Sequence, residues 1–273
     1  MNQVILITGA SSGLGKDAAL TLIAQGYTVY GAARRVDQMQ DLVAAGGHAV
    51  ALDLTDEAQI EALVQRVIAE QGRIDVLVNN AGYAIYGSVE ETRIEDARRQ
   101  FEVNLFGLAR LTQLVLPHMR AQASGTIVNM SSVGGKIYTP LGAWYHATKH
   151  ALEGWSDSLR LELAAFGIHV VLIEPGLIGT EFGDVMLAPM LERSGQGPYG
   201  QMAQRMAEAS QANYDKPGAS SPPSVITNLI LQAIRSPRPK TRYAGGKLAK
   251  PMLFLRWLLS DRLFDRAVMS QVK

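Results

Sequence analysis

The chain has 273 residues, a length that suits one large α/β domain with a substantial core. Hydrophobic residues make up 47% and charged residues 19%, which excludes a disordered chain, and the absence of cysteine excludes disulfides, thiolate catalysis and cysteine-ligated metal. The net charge of +1 hides an asymmetry: residues 235–273 carry 10 Lys and Arg against 2 Asp and Glu, so a basic tail follows an acidic body.

The opening MNQVILITGA has a short apolar run and no basic n-region, and no apolar run approaches the ~20 residues of a membrane span. Together with the missing cysteines, this leads us to expect a cytoplasmic protein. QVILITG (residues 3–9) reads as a buried strand ending in Gly. A helix follows, with Ala18, Ala19, Leu22 and Ile23 on its apolar side and a stop at Gly26. YTVYGAA (27–33) and HAVALDL (48–54) are the second and third strands. Residues 56–71 place Ile60, Leu63, Val64, Val67 and Ile68 at helical spacing, and Gly72 ends that helix. IDVLVNNAG (74–82), GTIVNMSS (125–132) and IHVVLIEPG (168–176) complete six strands, separated by long helices around 92–121 and 143–166. Such alternation predicts an α/β fold: a doubly wound, Rossmann-like parallel sheet in a single domain, 1–273, with right-handed crossovers and a ligand crevice at the carboxyl ends of the strands.

Residues 181–223 break the alternation. Met186, Leu187, Met190, Leu191, Met202 and Met206 there predict a partly helical insertion at the crevice edge, a candidate substrate lid. Residues 245–273 form the basic, apolar tail. Leu248, Met252, Leu255, Leu258 and Leu259 give a loose helical stripe that Pro251 interrupts. The plainer expectation packs this tail on the body; the sharper one docks it on an anionic membrane surface. No motif for reading nucleic acid accompanies the basic residues.

Between the first strand and helix lies TGASSGLG, residues 8–15. Gly9, Gly13 and Gly15 permit a sharp turn and close approach of backbone to ligand, and the helix N-terminus behind them suits a pyrophosphate. A tight strand-to-helix turn is the bland alternative. At the end of the second strand, where an acid would bind ribose hydroxyls, Ala33 is followed by Arg34 and Arg35. A guanidinium binds phosphate bidentately, so charge favours NADP(H) over NAD(H). Asp53 sits in ALDLTD; as a plain helix cap it would be a poorer choice than Thr55.

In WYHATKHALEG, Tyr145 and Lys149 stand four apart and share a helix face. A free tyrosine has a pKa of ~10 and must fall by ~3 pKa units to act as a base near neutrality. A cation at hydrogen-bonding range supplies ~1–3 of these. His146 and His150 are also four apart, but with no third ligand and no H-E-x-x-H pattern they are expected to face solvent, and no metal is expected.

T-G-x-x-x-G-x-G at 8–15, NNAG at 79–82, Ser132 thirteen residues before Tyr145, YHATK at 145–149 and PGLIGT at 175–180 occur in order and in register. Together they resemble the short-chain dehydrogenase/reductases, over roughly residues 3–180. The resemblance implies hydride transfer between a nicotinamide and an alcohol/carbonyl pair. In it Ser132 orients the oxygen, Tyr145 is the general acid or base, Lys149 tunes it, and Asn104 supports a proton relay. Ser131 competes with Ser132, and only the thirteen-residue separation selects between them. The resemblance also implies cofactor contacts at Gly9, Ser11, Ser12, Gly13, Leu14, Gly15, Arg34, Arg35, Asp53, Leu54, Asn80, Ala81, Gly82, Tyr145, Lys149, Pro175, Gly176, Ile178 and Thr180. A homodimer or homotetramer formed through the two long helices is implied as well. Val133, Ile137, Leu141 and Trp144 are expected to face the substrate and, with the Met-rich insertion, to favour a lipophilic small molecule. A non-catalytic NADP(H)-binding regulator is the rival reading; Ser132 and Tyr145 argue against it, because binding alone requires neither.

Overall fold

Val4 and Leu6 project from one side of the first strand and Ile5 and Ile7 from the other, and all four are buried, so β1 (Val4–Thr8) must be covered on both faces. The computed structural model, which describes residues 2–215 and 218–270, does this with one sheet between two helical layers. Residues 216–217 of the predicted insertion and 271–273 of the predicted tail lie outside the described residues. The other strands are β2 (Thr28–Ala33), β3 (His48–Ala51), β4 (Val76–Asn79), β5 (Gly125–Met130), β6 (Ile168–Pro175) and β7 (Arg242–Gly245). They pair in the order β3-β2-β1-β4-β5-β6-β7, all parallel.

The helices are α1 (Gly13–Ala24), α2 (Gln40–Ala44), α3 (Glu57–Gln71), α4 (Ile94–Phe101), α5 (Leu108–Ala121), α6 (Ala143–Leu163), α7 (Phe182–Ser194), α8 (Gly200–Asp215), α9 (Ser224–Arg235), α10 (Ala249–Leu258) and α11 (Asp261–Met269). On one face Ile5, Ile7, Val76 and Val128 pack with Ala18 and Leu22 of α1 and Ile226 and Ile230 of α9. On the other, Leu6, Leu77 and Ile127 pack with Leu63 of α3, Leu111 and Val115 of α5, and Leu159 of α6. The chain leaves β1 toward β2 on one side and later enters β4 on the other. The switch point therefore opens a crevice above the ends of β1 and β4.

Several local features differ from expectation, each for a visible reason. The cap of α3 is Asp56, not Thr55: Asp56 accepts the Gln59 N–H at 3.2 Å, and the Gln59 amide donates back to Asp56 at 2.8 Å. The long helix predicted over 92–121 is two helices joined by a π-helical turn at Glu102–Gly107. The turn rests on Leu54 so closely that a methyl at Gly107 would lie 2.2 Å from the Leu54 carbonyl oxygen. α9 and β7 lie beyond the predicted elements, although Ile226, Ile230 and Ile234 carry a regular apolar stripe. Pro251 does not interrupt the tail helix; it sits in the first turn of α10, where a missing N–H costs nothing. No helix among the described residues is long and apolar enough to cross a membrane.

Arg242 anchors the edge strand β7. Its guanidinium donates to Glu153 at 3.0 Å and to Asp157 at 2.7 Å, both on α6, and lies 3.5 Å from Glu174 at the end of β6. Lys136 also pairs with Glu153, at 3.0 Å. Glu153 and Glu174 are both buried, each with one carboxylate oxygen lacking a hydrogen-bond partner among the described residues. Burial, and then the Glu153 charge, push Glu174 up to about 7 from 4.5, against the pull of Arg242. Its contribution to stability is full below pH 4.5 and is lost as pH rises through about 7. Glu174→Gln removes that dependence. The melting temperature of the variant minus that of the native chain should rise by on the order of 5 °C between acidic and mildly alkaline buffer. A constant difference across that range in differential scanning calorimetry would contradict the assignment.

Candidate active site

Thr8 ends β1, and its hydroxyl accepts the N–H groups of Asn80 at 3.1 Å and Ala81 at 3.0 Å, tying the glycine loop to the segment after β4. The Asn80 amide donates to the Thr8 carbonyl at 2.9 Å. Gly9 has φ 71°, and a methyl on it would meet the Ala81 Cα at 2.9 Å; one on Gly15 would meet the Gly9 carbonyl oxygen at 2.3 Å. Gly13, at φ 54°, is different: a methyl on it would meet Thr180 at 3.7 Å, an ordinary contact, so it faces the loop after β6. Ser11 and Ser12 complete the turn ahead of the α1 amides, and Leu14 packs inward on the sheet. The result is a backbone cradle at a helix N-terminus, a fit for a pyrophosphate.

Around this cradle Ala33 ends β2 and is buried, while Arg34 and Arg35 are exposed; Arg35 donates to the Ser12 hydroxyl at 3.1 Å. Asp53 accepts from the Thr55 amide at 2.9 Å and its hydroxyl at 2.8 Å. Burial opposes the Asp53 charge, but those bonds and then Arg34 and Arg99 hold its carboxyl below the usual carboxylate range. Leu54 turns into the core, leaving only its backbone near the crevice. Gly176 donates to the Gly245 carbonyl at 2.8 Å, and Ile178 is buried against the sheet, so Pro175–Thr180 is braced by the segment after β7.

Tyr145 and Lys149 share the inward face of α6. Lys149 is only 7% exposed, its Nζ donates to the Met130 carbonyl at the end of β5 at 2.7 Å, and it lies 6.0 Å from the centre of the Tyr145 ring. Burial pulls Lys149 down from 10.5 to about 8, with Glu153, one turn on, opposing the fall. Ser132 caps a short turn, Val133–Gly135, by accepting the Gly134 N–H at 3.0 Å. A methyl at Gly134 would lie 3.2 Å from Tyr145 Cε1, which places the serine turn on the tyrosine ring. Ser132 is partly exposed; Ser131 is buried, turned toward Gly135 and Glu153. Asn104, in the π-helical turn, accepts the Tyr83 N–H at 3.1 Å and donates to the Tyr83 carbonyl at 2.9 Å and Thr148 at 3.1 Å. Gly82 lies between them: a methyl there would be 3.1 Å from Asn104 Oδ1 and 3.8 Å from Lys149 Nζ. Glycine cradle, arginines, serine turn and Tyr–Lys pair thus converge on one crevice.

Comparison with known proteins gives the family. The family model described as short chain dehydrogenase matches residues 3–188. The chain is a short-chain dehydrogenase/reductase. It is 37% identical to an uncharacterized oxidoreductase of Bacillus subtilis over 94% of this chain and 93% of that one. It is 42% identical to a 3-ketodihydrosphingosine reductase of Bacteroides thetaiotaomicron over 67% of this chain, a match that spans just under two thirds, 66%, of the relative's length. A short-chain dehydrogenase from Streptomyces avermitilis superposes with a TM-score of 0.79 at 37% identity, covering 99% of this chain and 95% of that one. A serine dehydrogenase complexed with NADP+ superposes at 0.78 with 28% identity, covering 90% and 95%. These relatives are named as oxidoreductases, and solved neighbours hold NADP or NAD.

Some expectations fail. His146 does not face solvent: it is buried, its Nε2 accepts the Thr139 N–H at 3.1 Å, and its Nδ1 therefore donates to the Gly134 carbonyl at 2.9 Å. Burial lowers its pKa, so the neutral ring staples the serine turn to α6. Only its place beside Tyr145 pointed to it. His150 is exposed. Trp144, one residue before Tyr145 and so a quarter-turn away, lines a groove with Ile94, Phe101 and Phe106 on the outer side of α4 and α6. Val133 and Ile137 pack against the tail, with Ala249 and Phe264. Of the four expected wall residues, Leu141 alone joins the apolar cluster of Tyr145. Tyr86 belongs to that cluster and was not foreseen; its ring lies 6.0 Å from that of Tyr145. Arg99 on α4, felt by both Asp53 and Tyr83, is a second cation at the crevice that spacing alone did not disclose.

Glu153 favours the protonated form of Lys149. Glu153→Gln should therefore move the lysine titration below about 8, read by nuclear magnetic resonance of labelled lysine side chains in the cofactor-free protein. An upward movement, or none, would break the electrostatic link.

Proposed function

We propose that this short-chain dehydrogenase/reductase is an NADP(H)-dependent enzyme that interconverts an alcohol and a carbonyl on a lipophilic small molecule. The observation that carries the proposal is the burial of Tyr145 between the Lys149 ammonium and an apolar cluster of Tyr86, Leu141, Met190, Ala203 and Ala207. Met186, Leu187, Met202 and Met206 of α7 and α8 pack on the same cluster, which supports their reading as a substrate lid. The lid is pinned to the loop after β4: Arg193 donates to the Tyr86 carbonyl, the Ser88 N–H donates to Ser194 at 2.9 Å, and Tyr199 donates to Glu90 at 2.8 Å. The similarity to a 3-ketodihydrosphingosine reductase favours an aliphatic carbonyl over a small polar one.

A nicotinamide held in the crevice would supply or accept the hydride. Ser132 hydrogen-bonds the substrate oxygen and orients it. Tyr145 donates its proton to that oxygen in reduction and takes it back in oxidation. Lys149 stabilises the phenolate form of Tyr145 and would hold the ribose hydroxyls of a bound cofactor. Asn104 fixes the Tyr83 segment and, through Thr148, the first turns of α6, so that Tyr145 and Lys149 keep their places. Asp53 would hold the adenine side of the dinucleotide, Asn80, Ala81 and Gly82 would line its cleft, and Thr180 would bond the carboxamide. Assembly through the outer face of α4, α5 and α6, where Ile94, Phe106 and Leu161 are exposed, belongs to the same proposal as a homodimer or homotetramer.

NADP(H) preference rests on Ala33, Arg34 and Arg35, since NADP and NAD both occur in related structures. Arg34→Ala with Arg35→Ala should weaken NADPH binding about tenfold to a hundredfold and leave NADH nearly unchanged, as read by fluorescence titration. Equal losses for both cofactors would remove the 2′-phosphate role. Tyr145→Phe should lower kcat about 10²–10⁴-fold toward a long-chain ketone while keeping NADPH affinity. Full activity in that variant would refute the mechanism.

A further inference from the structure

Of the large apolar side chains exposed among the described residues, half lie in one short segment, from Leu248 to Leu263. In α10 they form the outer face of the helix. Phe254 is 57% exposed, Trp257 78% and Leu258 58%, and residues spaced by three and four stack on one side. A surface helix ordinarily turns such a face inward and its charges outward. Here the inward face is already satisfied by other side chains: Ala249, Met252 and Leu253 of α10 and Phe264 of α11 pack on Val133 and Ile137 beside the Ser132 turn. The helix is therefore apolar on both sides, and nothing in the core calls for the outer one.

The charges around that outer face are mostly positive. Lys247, Lys250, Arg262 and Arg266 are exposed. The two acids of the segment are occupied, Asp261 by Arg256 at 2.8 Å and Asp265 by the Tyr138 hydroxyl at 2.9 Å. Arg256 is itself held inward over the Tyr138 and Phe264 rings, at 5.5 and 5.4 Å. An aromatic and aliphatic face with exposed cations beside it is complementary to a surface with an apolar interior and anionic headgroups. A second copy of the chain fits less well, because a two-fold contact through this face would set its cations against their own images.

We propose that α10 and α11 dock the protein on an anionic phospholipid bilayer, with Phe254, Trp257 and Leu258 entering the headgroup–acyl boundary and Lys250, Arg262 and Arg266 meeting phosphates. Docking would leave the crevice intact, since none of these residues belongs to it. The test is co-sedimentation of the full chain with vesicles of phosphatidylcholine, with and without phosphatidylglycerol. The native protein should partition onto the anionic vesicles, lose binding as salt is raised, and show a blue shift of tryptophan emission. Phe254→Glu with Trp257→Glu should cut partitioning about tenfold or more at an unchanged melting temperature. Lys250→Glu with Arg262→Glu should cut it comparably, without touching the apolar face. Failure of the native chain to bind anionic vesicles would overturn the proposal, as would equal partitioning of native and variant proteins. Light scattering that shows a self-association abolished by Phe254→Glu with Trp257→Glu, with no vesicle binding, would assign the face to a second copy instead.

Discussion

The site depends on keeping an ammonium group where water does not reach it. Lys149 is held near 8 rather than 10.5, a displacement equivalent to about 3 kcal/mol against the charged form. One hydrogen bond, to the Met130 carbonyl, and one carboxylate, Glu153, stand against that cost. Both come from rigid elements, the end of β5 and the next turn of α6. A buried charge persists only where such partners are fixed in advance, and here the sheet and the longest helix fix them. The same burial makes the charge matter to Tyr145, because an ammonium in a poorly polarisable surrounding acts on its neighbour far more strongly than one in water.

From that constraint the rest of the architecture follows. Lys149 can reach Met130 only if α6 crosses the carboxyl end of β5, and Asn129, which donates to Ser156 at 2.9 Å and accepts from Asn79 at 2.9 Å, locks β4, β5 and α6 together there. Asn104 does the same from the opposite side. The π-helical turn places its amide where a regular helix would turn it away, and that amide then spans Tyr83 and Thr148. His146 closes the third side by holding the serine turn through Gly134. Each of these groups is buried and each spends its polar atoms on a neighbour, so orientation at the site is paid for within the core.

How much of this could be read beforehand depended on whether the signal was local. Six strands and the helices between them follow from runs such as VILIT and from the stripe Ile60, Leu63, Val64, Val67, because period and punctuation are properties of adjacent residues. The pairing of Tyr145 with Lys149 was legible for the same reason. β7 was not: four residues, half-buried, become a strand only because β6 offers an edge and Arg242 finds two carboxylates on α6. The burial of His146 was equally invisible, since its two partners, Gly134 and Thr139, come from a turn with no regular period. The error at Trp144 has a simpler origin. It adjoins Tyr145 in sequence, and adjacency on a helix puts side chains a quarter-turn apart. For Val133 and Ile137 the competing partner is the tail itself, whose apolar stripe continues through a proline that sits in the first turn of the helix.

The two helical pairs beside the site differ from the sheet in what holds them. α7 and α8 lie on Tyr145 through methionines and alanines, and α10 and α11 lie on the serine turn through Val133, Ile137 and Phe264; neither joins the strand ladder. Side-chain packing of that kind tolerates exchange of one apolar group for another of similar volume at a cost below about 1.5 kcal/mol. A change of side-chain shape at Met190 or Leu141 can therefore be absorbed without disturbing the bond from Lys149 to Met130. A change at Glu153 cannot, because its carboxylate serves Lys149, Lys136 and Arg242 at once. In the proposed function, chemistry and specificity thus fall to parts of the molecule held in different ways: the proton-handling groups to β5 and α6, and the fit of the substrate to helices that rest on them.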